Sequence, residues 1–388
     1  MANLRRINQE DLRNHNLSVT LDTLLRAQKP MSRADLAKET GLTKATLSLL
    51  ASMLIESGVV QEGEPVVSTT YGRPSTPLEI RGGSIAGIGL QINTDGYGCL
   101  ALDLNGDTLG REWVSEDMTG TDPYEIFAKL DAMTFPLESR LNRRGCKVVG
   151  AGFALPGIVT DDMWLLVARN LGWENVNLTR FNVVRRLDVV AGNEAKMAAI
   201  AQIPGYATER APFLNVVDRT DSFIYLSTDI GIGGAVVRDG EVVMGSHGFA
   251  GEIGHLSVAM DGPLCSCGRH GCLEAFAGRR ALVEAAGIAE DGDATSSEAI
   301  DMFLQRWRAG DSDVAKVVDQ AADALVSAIA SAVNLVDVDT VLLGGLWTHF
   351  GDELATVLEG RLRSEILGYP NVKIRVFVPP VADRKSVV

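Results

Sequence analysis

One pattern occurs twice in this chain. Residues 85–114 read IAGIGLQINTDGYGCLALDLNGDTLGREWV, and residues 222–245 read SFIYLSTDIGIGGAVVRDGEVVMG. Each predicts a strand, a glycine-containing turn, a second strand, an Asn-Gly or Asp-Gly turn and a third strand. Those dipeptides favour tight hairpins because their backbones tolerate positive φ. Helical stretches follow both units. A hairpin unit that recurs and is each time followed by helices restricts the body to two related α/β lobes with a cleft between them. The chain has 388 residues, enough for several cores. The expected division is 1–81, a first lobe over 82–195 and a second over 196–388, with a C-terminal helix able to return to the first lobe.

Residues 1–81 are a different object electrostatically. They carry ten Lys/Arg against nine Asp/Glu, a balance of +1, whereas the other 307 residues carry 26 against 41, a balance of −15; the whole chain is at −14. A small DNA reader on an acidic body produces this split. Leu17, Leu21, Leu24 and Leu25 recur at helical spacing. Ser32 with Asp35 three residues on predicts a capped helix start, and Gly41 a sharp stop. Thr43 caps a second helix with Leu47, Leu50 and Leu54 inward. Two short helices across a glycine turn make a helix-turn-helix, whose second helix enters the major groove. Thr43, Lys44, Thr46 and Ser48 are its outward residues. The strand-like VVQEGEPVVSTT and the YGRPSTPLEI after it predict a wing, with Arg73 suited to a narrow minor groove. A helical oligomerisation module is the bland alternative.

In the body, residues 187–202, LDVVAGNEAKMAAIAQ, predict a strand running into a helix. Asn193 and Glu194 stand at that junction, where open α/β sheets place ligand-contacting groups. Gly344 and Gly345 end a similar strand. Asn193, Glu194, Glu252, His255 and Glu274 together suit a polyhydroxylated ligand, since carboxylate, amide and imidazole groups can each bridge neighbouring hydroxyls. Taken singly, each is more commonly a surface or capping residue.

Three of the five cysteines fall in CSCGRHGCLE at 265–274. The N-terminus, MANLRRINQEDLRNHN, has no apolar signal stretch, and no apolar run reaches membrane-spanning length. The expected location is the cytoplasm, where clustered cysteines bind metal more often than they pair; Cys99 and Cys146 are read as buried thiols. Cys265, Cys267 and Cys272 plus one histidine fill a tetrahedral Zn²⁺ site with no open position, which makes the metal structural. The histidine is His255 or His270, and three reduced thiols without metal is the alternative.

GEIGH at 251–255 followed by CSCGRHGCLE closely resembles the signature of the ROK family of repressors, open reading frames and sugar kinases. The resemblance extends to 86–110, ALPGIV at 154–159, RNLGWENVNL at 169–178, the strand-helix at 188–200 and VLLGG at 341–345. It implies a two-lobed, actin-like (ribonuclease-H-like) sugar-binding body. It implies that Asn193, Glu252, His255 and Glu274 hold sugar hydroxyls, that Asn170, Gly157 and Glu194 add contacts, and that His255 is the fourth zinc ligand.

The family's kinases differ from this chain where phosphate is handled. Their Asp-x-Gly-Gly-Thr turn corresponds to Gln91, Asn93, Thr94 and Asp95 here, so an acid stands where a hydroxyl should meet phosphate. Their second phosphate loop corresponds to Asp229-Ile230-Gly231, and their catalytic aspartate to Glu194. The expectation is therefore a non-enzymatic, sugar-responsive repressor that binds operator DNA as a homodimer or dimer of dimers. An ATP-dependent sugar kinase with a fused DNA reader is the alternative, and a sugar-binding adaptor ranks below it.

Overall fold

The computed structural model describes residues 8–27, 29–65, 76–203, 216–218, 220–289 and 294–378. The N-terminal unit runs α1 (Gln9–Leu25), β1 (Met31–Ser32), α2 (Arg33–Thr40), α3 (Lys44–Glu56), β2 (Val60–Glu62) and β3 (Pro77–Ile80). The Ser32 hydroxyl accepts from Asp35 N–H at 3.2 Å and the Asp35 carboxylate accepts from Ser32 N–H at 3.0 Å, which satisfies two donors at the start of α2. Gly41 ends α2 at φ 71°, a conformation costly to a residue with a Cβ. Leu36, Leu47 and Leu54 bury against Leu24, Val60 and Leu78 in one small core. The sheet order β1-β3-β2 is antiparallel throughout. Residues 66–75, Arg73 among them, lie outside the described residues.

The first lobe contains β4 (Ile85–Asn93), β5 (Gly96–Asp103), β6 (Thr108–Ser115), α4 (Pro123–Arg143), β7 (Lys147–Leu155), β8 (Ile158–Val159), β9 (Trp164–Ala168), β10 (Trp173–Asn177), α5 (Asn182–Arg186) and β11 (Val189–Asn193). The second contains α6 (Glu194–Ala201), β12 (Phe223–Thr228), β13 (Ile232–Arg238), β14 (Glu241–Val242), α7 (Glu274–Ala277), α8 (Arg279–Ala285), α9 (Ser297–Arg308), α10 (Ser312–Val336), β15 (Thr340–Gly345), α11 (Gly351–Glu365) and β16 (Arg375–Phe377). Their five-stranded sheets match strand for strand. From the hairpin edge the orders are β6-β5-β4-β7-β11 and β14-β13-β12-β15-β16. In each, three antiparallel strands lead to two that run parallel to the innermost. The two-lobed body expected from the repeated hairpins is what the chain forms. Asp239 and Gly240, at φ 53° and 77°, supply the positive-φ turn of the second unit.

Helix α4 begins with Pro123 after an Asp122 cap that accepts from Tyr124 N–H at 3.0 Å. Its Phe127, Leu130 and Leu137 pack on Ile88, Leu90 and Phe153, each such burial contributing about 1.5–3 kcal/mol. The chain passes between sheets at Asn193–Glu194, so α6 starts two residues before the expected lobe boundary. Ala198 and Ala199 of α6 pack on Phe223, Tyr225 and Val237 of the second sheet. The expectation of a C-terminal helix on the first lobe does not hold for the described residues. The last helix, α11, buries Leu354, Leu358 and Leu362 in the second-lobe core with Leu325 and Ile329, because the long apolar face of α10 lies beside it. Among the described residues no helix is long and apolar enough to cross a membrane.

Candidate functional site

The lobes enclose a cavity of about 430 Å³. Gly157, Asn170, Asn193, Glu194, Glu252, His255 and Glu274 all line it. They come from five segments of the chain: Gly157 and Asn193 adjoin strand ends, Glu252 and His255 lie at a short helical turn, and Glu274 begins α7.

The hydrogen bonds give several of these side chains a second task. Asn193 caps α6, its Oδ1 accepting from Ala195 N–H at 2.9 Å, while its Nδ2 donates to the Gly157 carbonyl at 2.8 Å. Gly157 sits at φ 90°, and a Cβ there would overlap the Val167 carbonyl oxygen. One Glu274 oxygen accepts from Ile232 N–H at 3.0 Å and the other from the Ser266 hydroxyl at 2.9 Å. Glu274 therefore ties the cysteine loop to the β12–β13 turn while facing the cavity. Burial pushes the Glu252 carboxyl above its ordinary range; His255 and Lys196 pull it back, and Glu274 pushes it up again.

Sequence reasoning missed Lys196, which is 3 % exposed. Its ammonium donates to the Gly248 carbonyl. Burial lowers its pKa, against the opposing charges of Glu252 and Asp161. The available signal was a lysine on the inward stripe of an alanine-rich helix. Arg169 and Ser266 also line the cavity without having been singled out.

At one wall the ligand atoms of His255, Cys265, Cys267 and Cys272 all lie within 4.8 Å of one another. Cys265 Sγ is 3.7 Å from His255 Nδ1, and Cys267 Sγ is 3.6 Å from Cys272 Sγ. A tetrahedral centre with Zn–S near 2.3 Å has S–S edges of about 3.8 Å, so four donors of this kind at this spacing fit one Zn²⁺. His270 is turned elsewhere, its Nδ1 3.1 Å from the Gly262 carbonyl oxygen. Burial raises the Cys267 thiol, but hydrogen bonds from Arg269, Cys265 and Cys272 outweigh it and bring the thiol down to about 6, a thiolate suited to metal.

Gln91, Asn93 and Thr94 at the end of β4 share the cavity with Asp229, Ile230 and Gly231 of the β12–β13 turn. Asp229 is held by Arg279, with Nη1 3.3 Å from its carboxylate. Asn93 Oδ1 accepts from Asp95 N–H at 2.9 Å, which turns the β4–β5 hairpin. Each turn thus brings an amide or acid side chain, Asn93 or Asp229, to the cavity wall beside Thr94 and Gly231.

In the N-terminal unit, Thr43, Lys44 and Ser48 are exposed and Thr46 is half-buried. Their hydroxyls are engaged locally. Thr43 Oγ1 accepts from Thr46 N–H at 3.1 Å and lies 2.9 Å from Thr46 Oγ1, and the Ser48 hydroxyl donates to the Lys44 carbonyl at 2.8 Å.

A helix-turn-helix with a small antiparallel sheet, joined to a two-lobed sugar-kinase-like body whose cleft is walled by a Cys₃His loop, defines a narrow class of proteins. The chain belongs to the ROK family, whose model matches residues 88–388, and residues 20–64 match the IclR helix-turn-helix domain. It is 27 % identical over 382 residues to the xylose repressor of Caldicellulosiruptor bescii, covering 94 % of this chain and 92 % of the relative. It is 28 % identical to the N-acetylmannosamine kinase of Salmonella typhi over 63 % of this chain and 82 % of that one. Among solved structures, a ROK family transcriptional regulator described as a homolog of the E. coli MLC protein superposes with a TM-score of 0.75 at 23 % identity, covering 97 % of this chain and 95 % of that one.

Proposed function

We propose that this chain is a cytoplasmic, sugar-responsive DNA-binding repressor of carbohydrate-metabolism genes and that it does not transfer phosphate. One observation carries the reading: all the residues expected to contact a polyol line a single cavity, while the turn that would face a nucleotide phosphate holds Asp229, already paired with Arg279. An additional anion there would meet a carboxylate. The xylose-repressor relative, similar over nearly its full length, supports the same reading.

In this reading Asn170, Asn193, Glu194, Glu252, His255 and Glu274 contact sugar hydroxyls, and Gly157 lets the backbone approach. Zn²⁺ is held by His255, Cys265, Cys267 and Cys272. With four protein donors it supplies no reactive position and serves to hold the loop. His255 would hold it through one ring nitrogen, which would fix the ring and leave the other nitrogen for the sugar. Glu274 carries the state of the loop to the β12–β13 turn through Ile232 N–H. Thr43, Lys44, Thr46, Ser48 and Arg73 meet DNA, and a homodimer or dimer of dimers presents two such readers to paired half-sites. Sugar shifts the lobes toward a closed state only to the extent that it binds that state better, and the closed state holds DNA more weakly.

Calorimetric titration of the full chain with neutral monosaccharides, beside a coupled ATP-turnover assay, tests this. Saturable binding of one sugar without ATP turnover is the expected result. Sugar-dependent turnover would make the chain a kinase.

A further inference from the structure

The core side of α3 is Leu47, Leu50, Ala51 and Leu54. Its opposite side is Ala45, Ser48, Leu49 and Ser52, four exposed residues at helical spacing. Leu49 is 62 % exposed. This outward stripe carries no arginine, asparagine or glutamine, the side chains whose paired hydrogen bonds read guanine and adenine edges. The Ser48 hydroxyl already donates to Lys44, and Thr43 and Thr46 are engaged with each other at the cap. The remaining distinctive chemistry on the stripe is apolar: an isobutyl group with the Ala45 methyl one turn before it. The apolar group a base pair offers in the major groove is the thymine C5-methyl.

We propose that Leu49, supported by Ala45, reads thymine methyl groups, so that the half-site facing α3 is specified by thymine. This rests on the reading of α3 as the helix that enters DNA. Lys44 and the N-terminus of α3 then meet phosphate, which positions the helix without adding sequence information.

The test begins by selecting duplexes from a random pool with the full chain at fixed salt. Each thymine of the selected half-site is then replaced singly by deoxyuridine, which removes only the methyl group. Affinities are measured by fluorescence anisotropy for the wild type and Leu49→Ser. Leu49 is solvent-exposed, so the variant should keep its fold, and retained salt-dependent DNA binding by the variant would verify this. The expected result is a loss of roughly fourfold at one or two thymines in the wild type, absent in Leu49→Ser. Wild-type affinity indifferent to every replacement, or a loss that persists in Leu49→Ser, would overturn the assignment. Failure to select any sequence would overturn it together with the DNA-binding reading. Binding without methyl dependence would overturn the assignment alone.

Discussion

The guanidinium of Arg279, only 5 % exposed, lies 3.3 Å from the carboxylate of Asp229 at the mouth of the cleft. Its Nη2 donates to the Ser296 carbonyl at 2.6 Å. The ion pair sits at the turn that a phosphate would need, and it links that turn to the start of α8. Replacing Arg279 with Met leaves Asp229 part-buried without this cation and should cost about 3 kcal/mol of stability in urea denaturation. Adding Asp229→Asn to that variant should recover part of the loss. An Arg279→Met protein as stable as the wild type would show that the pair contributes nothing to the turn.

The Cys₃His loop should hold metal at about one zinc per chain by elemental analysis. Cys267→Ser should lower the content and the melting temperature, and strong chelation of the wild type should do the same. Because Glu274 connects this loop to Ile232 N–H, sugar affinity should fall together with metal content. Metal-free protein with full sugar affinity would separate the loop from the cavity.

Gly157→Ala should destabilise the first lobe by about 2 kcal/mol, since the position has φ 90° and a Cβ would overlap the Val167 carbonyl oxygen. The same shift would disturb the Asn193 contact to the Gly157 carbonyl. Sugar affinity should therefore fall beyond what the loss of folded population explains. Thermal unfolding and calorimetry of one preparation check both effects.

Asp311 caps α10. Its carboxylate is held at about 2 by Arg306 first, then by the N–H groups of Asp313 and Val314. A carboxyl whose folded pKa is depressed contributes stability that is present above its unfolded value near 4 and lost as pH falls through the folded value. The contribution should therefore decline between about pH 4 and pH 2. Asp311→Asn, which keeps a capping oxygen but loses the charge, should melt lower than the wild type at neutral pH, with the gap closing in that window. A gap unchanged to pH 2 would contradict the assignment.

Local chemistry was the most legible part of this chain. Ser32, Asp35, Gly41 and Thr43 announce the helix-turn-helix because capping and a positive-φ stop are decided within a few residues. The recurring hairpins announce matched sheets because turn dipeptides and strand periodicity are also local. The Cys₃His loop was readable as a ligand set; the choice between His255 and His270 depended on where the chain returned, which spacing alone left open. Lys196 and Arg279 escaped notice because their importance comes from burial among groups distant in sequence. The double duty of Asn193, helix cap and cavity wall, is likewise visible only once Gly157 is beside it. Which lobe a C-terminal helix joins is not legible as a pattern, because an apolar face fits either lobe; for α11 the neighbouring α10 decides it.

The central claim is that a sugar in the cleft weakens the grip of the N-terminal helices on DNA. Its most direct test is fluorescence anisotropy of a labelled fragment from upstream of the gene, at one fixed salt concentration because phosphate contacts make affinity steeply salt-dependent, with and without a panel of neutral sugars. The expected result is sequence-specific binding that one sugar weakens in the wild type but not in Glu252→Gln. Specific binding indifferent to every sugar, or an equal response in Glu252→Gln, would contradict the account.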